Sequence, residues 1–123
     1  MGEGTELEEN IKGVFSEILG GALDVEILNR ALSAFLSDNY VFSDFDLNFN
    51  PPVILSKNKF MALIKKLSEY FDDFGFSGFV GQIFMIMARA NPYNKKRLVI
   101  VYKHINGKNI SIESISGKTY TNV

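Results

Sequence analysis

The spacing of the apolar residues changes along this 123-residue chain, and that change constrains the fold more than any other feature. Over three stretches before residue 75, apolar side chains recur about every 3.6 residues, as on one face of an α-helix. From Tyr40 to Leu47, and again from Phe76 onwards, they recur at every second residue, as on one face of a β-strand. We therefore expect one α+β domain, residues 1–123, with three N-terminal helices packed on an antiparallel sheet.

Local signals indicate where the helices begin and end. Ser, Thr, Asp and Asn side chains cap helix N-termini, and glycine adopts the left-handed conformation that ends a helix. The predicted N-terminal caps are Thr5 (with Glu8 in a capping box), Asp24, and Ser56 or Asn58. The predicted ends are Gly20-Gly21, Ser37 and Gly75.

Glycine, proline and asparagine delimit the predicted strands. Asn50-Pro51-Pro52 is expected to turn the chain before a short edge strand at residues 53–55. Residues 76–90 are expected to form one long strand. Asn106-Gly107 predicts a two-residue type I′ hairpin turn, because both residues tolerate a positive φ.

The register of that hairpin decides which side chains share a face of the sheet. A two-residue turn places Val101 opposite Ile112 and Tyr102 opposite Ser111, so that Tyr102 and Glu113 lie on one face. A mostly apolar surface with a few polar groups is typical of a small-molecule pocket. It is equally typical of the solvated face of an antiparallel sheet, and the sequence leaves both alternatives open.

Composition excludes several classes of function. The chain has no cysteine and one histidine, which excludes disulfides, thiolate catalysis and a multi-histidine metal site within one chain. We expect no metal and no cofactor. The longest apolar run, residues 83–88, is far shorter than the roughly 20 residues of a membrane helix, and the N-terminus is acidic. A soluble cytoplasmic protein without a membrane partner is expected.

Charge is distributed unevenly along the chain. Residues 1–56 carry 10 acidic and 2 basic side chains, whereas residues 57–123 carry 4 acidic and 11 basic ones. Such polarity can orient self-association or attract an anion, or the two halves can neutralise each other on folding. The run Lys95-Lys96-Arg97 is interpreted as a solvated turn, because the pI is about 5.8 and no aromatic residues are interleaved. A nucleic-acid partner is not expected.

The order of the predicted elements, and three stretches within it, resemble the nuclear transport factor two-like superfamily, which includes ketosteroid isomerase and the SnoaL-like polyketide cyclases. The stretches are Leu36-Ser37-Asp38-Asn39-Tyr40-Val41-Phe42-Ser43-Asp44, residues 56–73, and Asn106-Gly107-Lys108 to Glu113. The likeness covers most of the chain but is mainly an order of elements. It implies a cone-shaped fold whose strongly curved sheet encloses a cavity, and a homodimer that uses the outer face of the sheet.

The resemblance also points to site residues. Asp44 falls where ketosteroid isomerase-like members keep their general base, and a carboxylate shielded by apolar walls gains basicity. The alternative is a solvated carboxylate at the end of a strand. Because the donors for an enolate oxygen are missing, steroid isomerisation is not expected. The residues expected to line a pocket are Tyr40, Phe42, Arg89, Tyr102 and Glu113.

The sequence is therefore consistent with two functions. The first is binding of a small apolar molecule, with cofactor-free isomerase, cyclase or hydratase chemistry at Asp44 if the protein is an enzyme. The second is a non-catalytic dimerisation or adaptor module that binds protein through the face of the sheet.

Overall fold

Three helices and one antiparallel sheet make up the described part of the protein. The structure is a computed structural model that describes residues 3–36, 43–71, 73–77, 81–87 and 94–121. The elements are α1 (Glu3–Leu19), α2 (Val25–Leu36), β1 (Phe45–Ser56), α3 (Lys57–Ser68), β2 (Asp73–Ser77), β3 (Gln82–Met87), β4 (Asn94–His104) and β5 (Asn109–Thr121). The strand order is β1-β5-β4-β3-β2. This confirms the α+β class, whereas the prediction of three N-terminal helices was wrong because α3 follows β1. Strong curvature of the sheet stays a prediction.

The predicted signals do mark the junction between α1 and α2. Gly20 donates its amide to the carbonyl of Ser16 at 3.0 Å, and Gly21 has a φ of 97°, as a helix C-terminus requires. Asp24 Oδ1 accepts from the amide of Glu26 at 3.1 Å and so caps α2. The side chain of Thr5 and residue 37 lie outside the described residues. None of the helices in the described ranges combines the length and the apolar character needed to cross a membrane.

Helix α3 begins where predicted but ends early. Ser56 caps it, because its Oγ accepts from the amide of Lys59 at 3.2 Å. The helix ends at Ser68, and Gly75 lies within β2 instead of ending the helix. The prediction of a longer helix was wrong because residues 73–77, which include Gly75, pair with β3 as strand β2.

Residues 76–90 do not form one strand, so that prediction was wrong. β2 and β3 are the arms of a hairpin, with Phe76 opposite Ile83. Gly81 has a φ of 59°, and its carbonyl accepts from the amide of Tyr102 at 2.8 Å. A Cβ at Gly81 would collide with the carbonyl oxygen of Tyr102, so only glycine fits between the hairpin and β4. A period of two residues describes one strand or two antiparallel strands equally well.

Asn50-Pro51-Pro52 does not turn the chain, because β1 continues through it. The Asn50–Pro51 peptide is cis. β1 pairs with β5 at Asn48 and again at Val53, and residues 49–52 form an irregular stretch between these two pairs. Residues 53–55 lie at the edge of the sheet, as predicted, since β1 is its first strand. The prediction of a short separate strand was wrong, because these residues belong to the 12-residue β1. Proline suits an edge because it has no N–H to donate to a neighbouring strand.

The hairpin at Asn106-Gly107 exists, but its register was predicted wrongly. Neither residue has a positive φ. Instead, Asn106 Oδ1 accepts from the amides of Lys108 at 2.7 Å and Asn109 at 2.9 Å. These side-chain hydrogen bonds, and not a backbone with positive φ, close the loop. The loop is longer than a two-residue turn, so the register changes and Tyr102 lies opposite Ile112.

The pairing of β4 with β5 contains one register shift, between Val101 and Tyr102 of β4. Tyr102 pairs with Ile112, whereas Val101 pairs with Ser114, so Glu113 is an extra residue in a β-bulge. The predicted pairing of Val101 with Ile112 was therefore wrong. Beyond the bulge, Ile115 faces the same side of the sheet as Ile112.

One face of the sheet carries the hydrophobic core. Its buried strand residues alternate along each strand and are at most 5% exposed: Val53, Leu55, Ile83, Met85, Leu98, Ile100, Ile110, Ile112 and Ile115. They form one cluster with apolar side chains of α1, α2 and α3. Burial of each such side chain favours folding by about 1.5–3 kcal/mol, so this cluster fixes which face the helices cover.

Gly117 of β5 lies where two aromatic rings meet, and we expect Gly117→Ala to lower the free energy of unfolding by about 1–3 kcal/mol. The rings of Phe35 and Phe45 are in edge contact, with centroids 5.4 Å apart. A Cβ at Gly117 would lie 2.5 Å from Phe45 and 2.9 Å from Phe35. Urea denaturation measures the change. Gly107→Ala is the matched control, because a Cβ there meets nothing within 4 Å. Equal stability of the two variants would contradict the packing described.

Candidate functional site

The predicted site residues that the structure describes lie in three separate places. Asp44 is exposed and precedes β1, where its Oδ1 accepts from the amide of Thr119 at 2.8 Å. Tyr102 packs on α3, with its ring centroid 4.7 Å from that of Phe60. Glu113 lies on the opposite face of the sheet. Tyr40, Phe42 and Arg89 fall outside the described residues.

The core separates Asp44 from Tyr102. Asp44 is level with Thr119, which pairs with Lys96. Tyr102 lies six residues further along β4, about 20 Å away at about 3.3 Å per residue. Leu98 and Ile100, both 0% exposed, fill the covered face between these two positions. The described residues therefore do not bring Asp44 and Tyr102 into one pocket.

Glu113 is also separated from Tyr102, because the hairpin register turns it to the other face. Its Oε1 accepts from Ser111 Oγ at 3.4 Å and lies 3.7 Å from Lys103 Nζ. Glu113 is therefore a partner for polar groups of the sheet surface, whereas Tyr102 belongs to the interface between sheet and helix.

Asp44 instead neighbours a shielded amine. Lys96 of β4 is 6% exposed; its Nζ donates to Thr119 Oγ1 at 3.3 Å and lies 5.2 Å from the centre of the Phe35 ring. Burial lowers the pKa of Lys96, and the negative charge of Asp44 partly offsets this effect. An amine that is shielded from water and has a lowered pKa can act as a proton acceptor or a nucleophile.

The sequence interpretation missed Lys96. It treated residues 95–97 as a solvated turn, but the three side chains do not share a face of the sheet. Lys96 follows the alternation of Leu98 and Ile100, which places it on the covered face. That alternation was the available signal.

Two open clefts lie elsewhere on the surface. One, of about 330 Å³, lies between the end of α1 and β1; its lining includes Ile18, Gly20 and Ile54. The other, of about 480 Å³, lies at the start of α3 beside the loop that contains Gly107 and Lys108. The linings of these two clefts include none of the predicted site residues.

The sheet face opposite the helices, hereafter the open face, has an uncharged centre on β4 and β5. Val99 and Val101 of β4 lie opposite Ser116 and Ser114 of β5, and all four are half-buried. Charged side chains surround this centre: Lys95, Arg97 and Lys118 at one end, Lys103 and Glu113 at the other, Asp46 of β1 opposite Ser116, and Asp73 of β2 level with Arg97. Within the described ranges, the helices cover only the other face.

Comparison with solved structures finds the same fold in archaeal viral proteins. ORF-99 of the archaeal virus AFV1 matches with a TM-score of 0.51 and 14% identity over 98% of this chain and 99% of that one. ORF14 of Sulfolobus Islandicus Filamentous Virus matches with a TM-score of 0.54 and 14% identity over 91% and 98%. No protein-family model and no curated protein sequence matches this chain. At this identity the likeness establishes the α+β fold.

Lys96 makes stability depend on pH, and we expect Lys96→Met to remove that dependence. The pKa of the folded Lys96 lies below its ordinary value of 10.5, so between the two values the unfolded chain binds more protons. The free energy of unfolding should therefore rise with pH across that window in the wild type, relative to Lys96→Met. Urea titrations from neutral to alkaline pH measure the difference between the two proteins.

Lys95→Met is the control, because Lys95 is exposed. Asp44→Asn should widen the window, since it removes the charge that raises the pKa of Lys96. An identical pH dependence of wild type and Lys96→Met would show that the amine is not shielded.

Proposed function

We propose that this protein is a non-catalytic assembly module that forms a homodimer through its open face. The observation that carries the proposal is one-sided packing. The three helices share a single core with one face of the sheet, and in the described part of the chain the other face has no covering layer. An antiparallel sheet tolerates one solvated face, whose outward residues are usually polar, whereas the centre of this face carries Val99 and Val101.

The chemistry of the open face suits a protein partner. Interfaces are depleted of charge at their centre and polar at their rim. Val99 and Val101 provide apolar surface, and the small side chains of Ser114 and Ser116 beside them allow a close approach. Two sheets that pack face to face lie about 10 Å apart, which requires a surface without long charged side chains.

The size of the face favours a second copy of this chain over a short peptide. Five strands at about 4.8 Å spacing, and 11 residues of β4 at about 3.3 Å each, give an area on the order of 800 Å² for the whole face, including its charged rim. Stable complexes bury about 800 Å² on each partner. A copy of the same face would match it in both area and polarity.

Two sequence features support this proposal. The resemblance to the nuclear transport factor two-like superfamily implies dimers that use the outer face of a strongly curved sheet. The lack of cysteine suits the reducing cytoplasm, where we propose that the module acts.

Light scattering coupled to size exclusion tests the dimer across a dilution series. We expect the wild type to be a dimer and Val101→Glu to be a monomer, because the substitution buries a charge at the centre of the face. Ser116→Arg should act in the same way through bulk and charge. The control is Ile27→Glu, since Ile27 is 57% exposed on α2, away from the sheet. Circular dichroism checks that each variant is folded. A wild-type monomer at all concentrations, or a Val101→Glu dimer, would refute the proposal.

A second candidate function is acid/base chemistry on, or binding of, a small molecule beside Asp44. The shielded amine of Lys96 favours it, because the amine gives Asp44 a neighbour that can exchange protons or attract a carbonyl or carboxylate group. Phe35 adds an apolar wall. In this second candidate Asp44 keeps its proposed role as general base. Lys96 is the neighbouring site residue, whereas Tyr102 and Glu113 are not part of the site.

A thermal-shift screen with small carbonyl and carboxylate compounds tests this second candidate. A compound at 100 times its dissociation constant should stabilise the protein by about 2.7 kcal/mol. We expect Asp44→Asn and Lys96→Met to abolish the shift, and Asp46→Asn to preserve it, since Asp46 is exposed two residues further along the chain. A shift that survives both substitutions would place the ligand elsewhere.

A further inference from the structure

The start of α3 and the loop between β4 and β5 meet at one end of the molecule. The amide of Lys57 donates to the carbonyl of Lys108 at 2.8 Å, and the amide of Ile105 closes the loop by donating to the carbonyl of Asn109 at 3.1 Å. The open cleft of about 480 Å³ lies here, and its lining includes both lysines. Met61 lies one helical turn after Lys57 on α3. The four residues Lys57, Met61, Ile105 and Lys108 are called the loop surface below.

Two apolar side chains of the loop surface are exposed. Met61 is 55% exposed on the outer side of α3, and Ile105 is 52% exposed where the loop begins. A single exposed apolar side chain on a protein surface needs no explanation, but two of them beside unpaired lysines form an amphipathic surface. About half of each side chain remains to be buried against a partner.

The two lysines of the loop surface have no acidic partner. Both are exposed, and neither Lys57 nor Lys108 forms an ion pair with any described residue. Carboxylates of the neighbouring elements are engaged elsewhere or distant. They are Glu113, which lies 3.7 Å from Lys103 on the open face, Glu17, which lies 3.0 Å from Lys66, Asp24, which caps α2 beyond the end of α1, and Glu69, at the other end of α3. The loop surface therefore keeps a positive balance, which attracts an anionic partner.

The cations at the other end of the sheet do not have such a balance. The guanidinium carbon of Arg97 there is 4.9 Å from the centre of the Tyr120 ring. Cations and carboxylates are equal in number at that end: Lys95, Arg97 and Lys118 with Asp44, Asp46 and Asp73. An anionic partner is thus attracted to the loop surface and not to that end.

The side chains between the lysines indicate which anionic partner fits. Proteins that bind a membrane surface place apolar side chains at the boundary between headgroups and acyl chains, while lysines contact anionic headgroups. Single-stranded nucleic acid instead needs rings on which its bases stack. We propose that the loop surface docks on an anionic membrane surface, with Met61 and Ile105 at the acyl boundary and a lipid phosphate between Lys57 and Lys108.

This inference differs from the sequence expectation of no membrane partner. That expectation rested on the lack of a segment long enough to span a bilayer, whereas attachment to its surface needs only a few apolar side chains and cations. The inference also goes beyond the proposed dimer. Helix α3 covers the sheet face opposite the proposed dimer interface, so the loop surface stays available in a monomer or in a dimer.

Sedimentation of the full chain with sucrose-loaded vesicles tests the proposal. We expect vesicles of equimolar phosphatidylcholine and phosphatidylglycerol to bind the wild type on the order of 30-fold more tightly than vesicles of phosphatidylcholine alone, since each of two lysines contributes about fivefold near an anionic surface. Lys57→Ala and Lys108→Ala should each lower the affinity for the anionic vesicles about fivefold. Met61→Ser and Ile105→Ser should each lower it by a similar factor, about fivefold, and this loss should persist at high salt.

Lys95→Ala and Ile27→Ser are the matched controls, because Lys95 lies at the balanced end of the sheet and Ile27 is 57% exposed on α2. Neither should change the affinity. Equal binding to neutral and anionic vesicles, or binding to neither, would overturn the proposal, as would equal losses in Lys57→Ala and Lys95→Ala. If Met61→Ser and Ile105→Ser both bind like the wild type, the loop surface is a plain anion surface and the lipid proposal is wrong. Competition by a short oligothymidylate then shows whether nucleic acid is the partner.

Discussion

The pairing of β5 with β1 and β4 is the constraint on which the rest of the structure depends. β5 lies between these two strands, so its register fixes the face of every side chain on three strands. Ile110 and Ile112 are two residues apart and share a face, but Ile115 is three residues further on. Without an extra residue Ile115 would point to solvent and Ser114 into the core. The bulge at Glu113 corrects this parity and keeps all three isoleucines under the helices.

Local signals predicted where α2 and α3 begin, because the causes of a helix start are local. A cap is a bond between a side chain and an amide two or three residues away, as at Asp24 and Ser56. The strands were harder to predict because their causes are distant. Gly81 must be glycine because of the carbonyl of Tyr102, a neighbour 21 residues away. The hairpin register followed from a side-chain acceptor, Asn106 Oδ1, that a rule for backbone turns does not include.

Some features of the candidate sites could likewise be predicted from local sequence, whereas others depend on strand pairing. The exposure of Asp44 and Asp46 could be predicted, since both alternate with apolar residues of β1. The burial of Lys96 was implied by its spacing from Leu98, but only a known register shows that this face carries the helices. The contact between Arg97 and Tyr120 had no signal in sequence, because strand pairing creates it. The two faces of one strand thus hold two kinds of lysine: Lys96, shielded and with a lowered pKa, and Lys95, in solvent.

The prolines at the outer edge of β1 have a consequence for how large an assembly can grow. A bare edge strand is a template on which a further strand can add, and repeated addition produces open-ended fibres. Pro51 and Pro52 have no N–H to offer, and the irregular stretch around them interrupts the edge. The opposite edge is β2, which has five residues. Growth by strand addition is thus discouraged at both edges, whereas the proposed association through the open face would close after two copies.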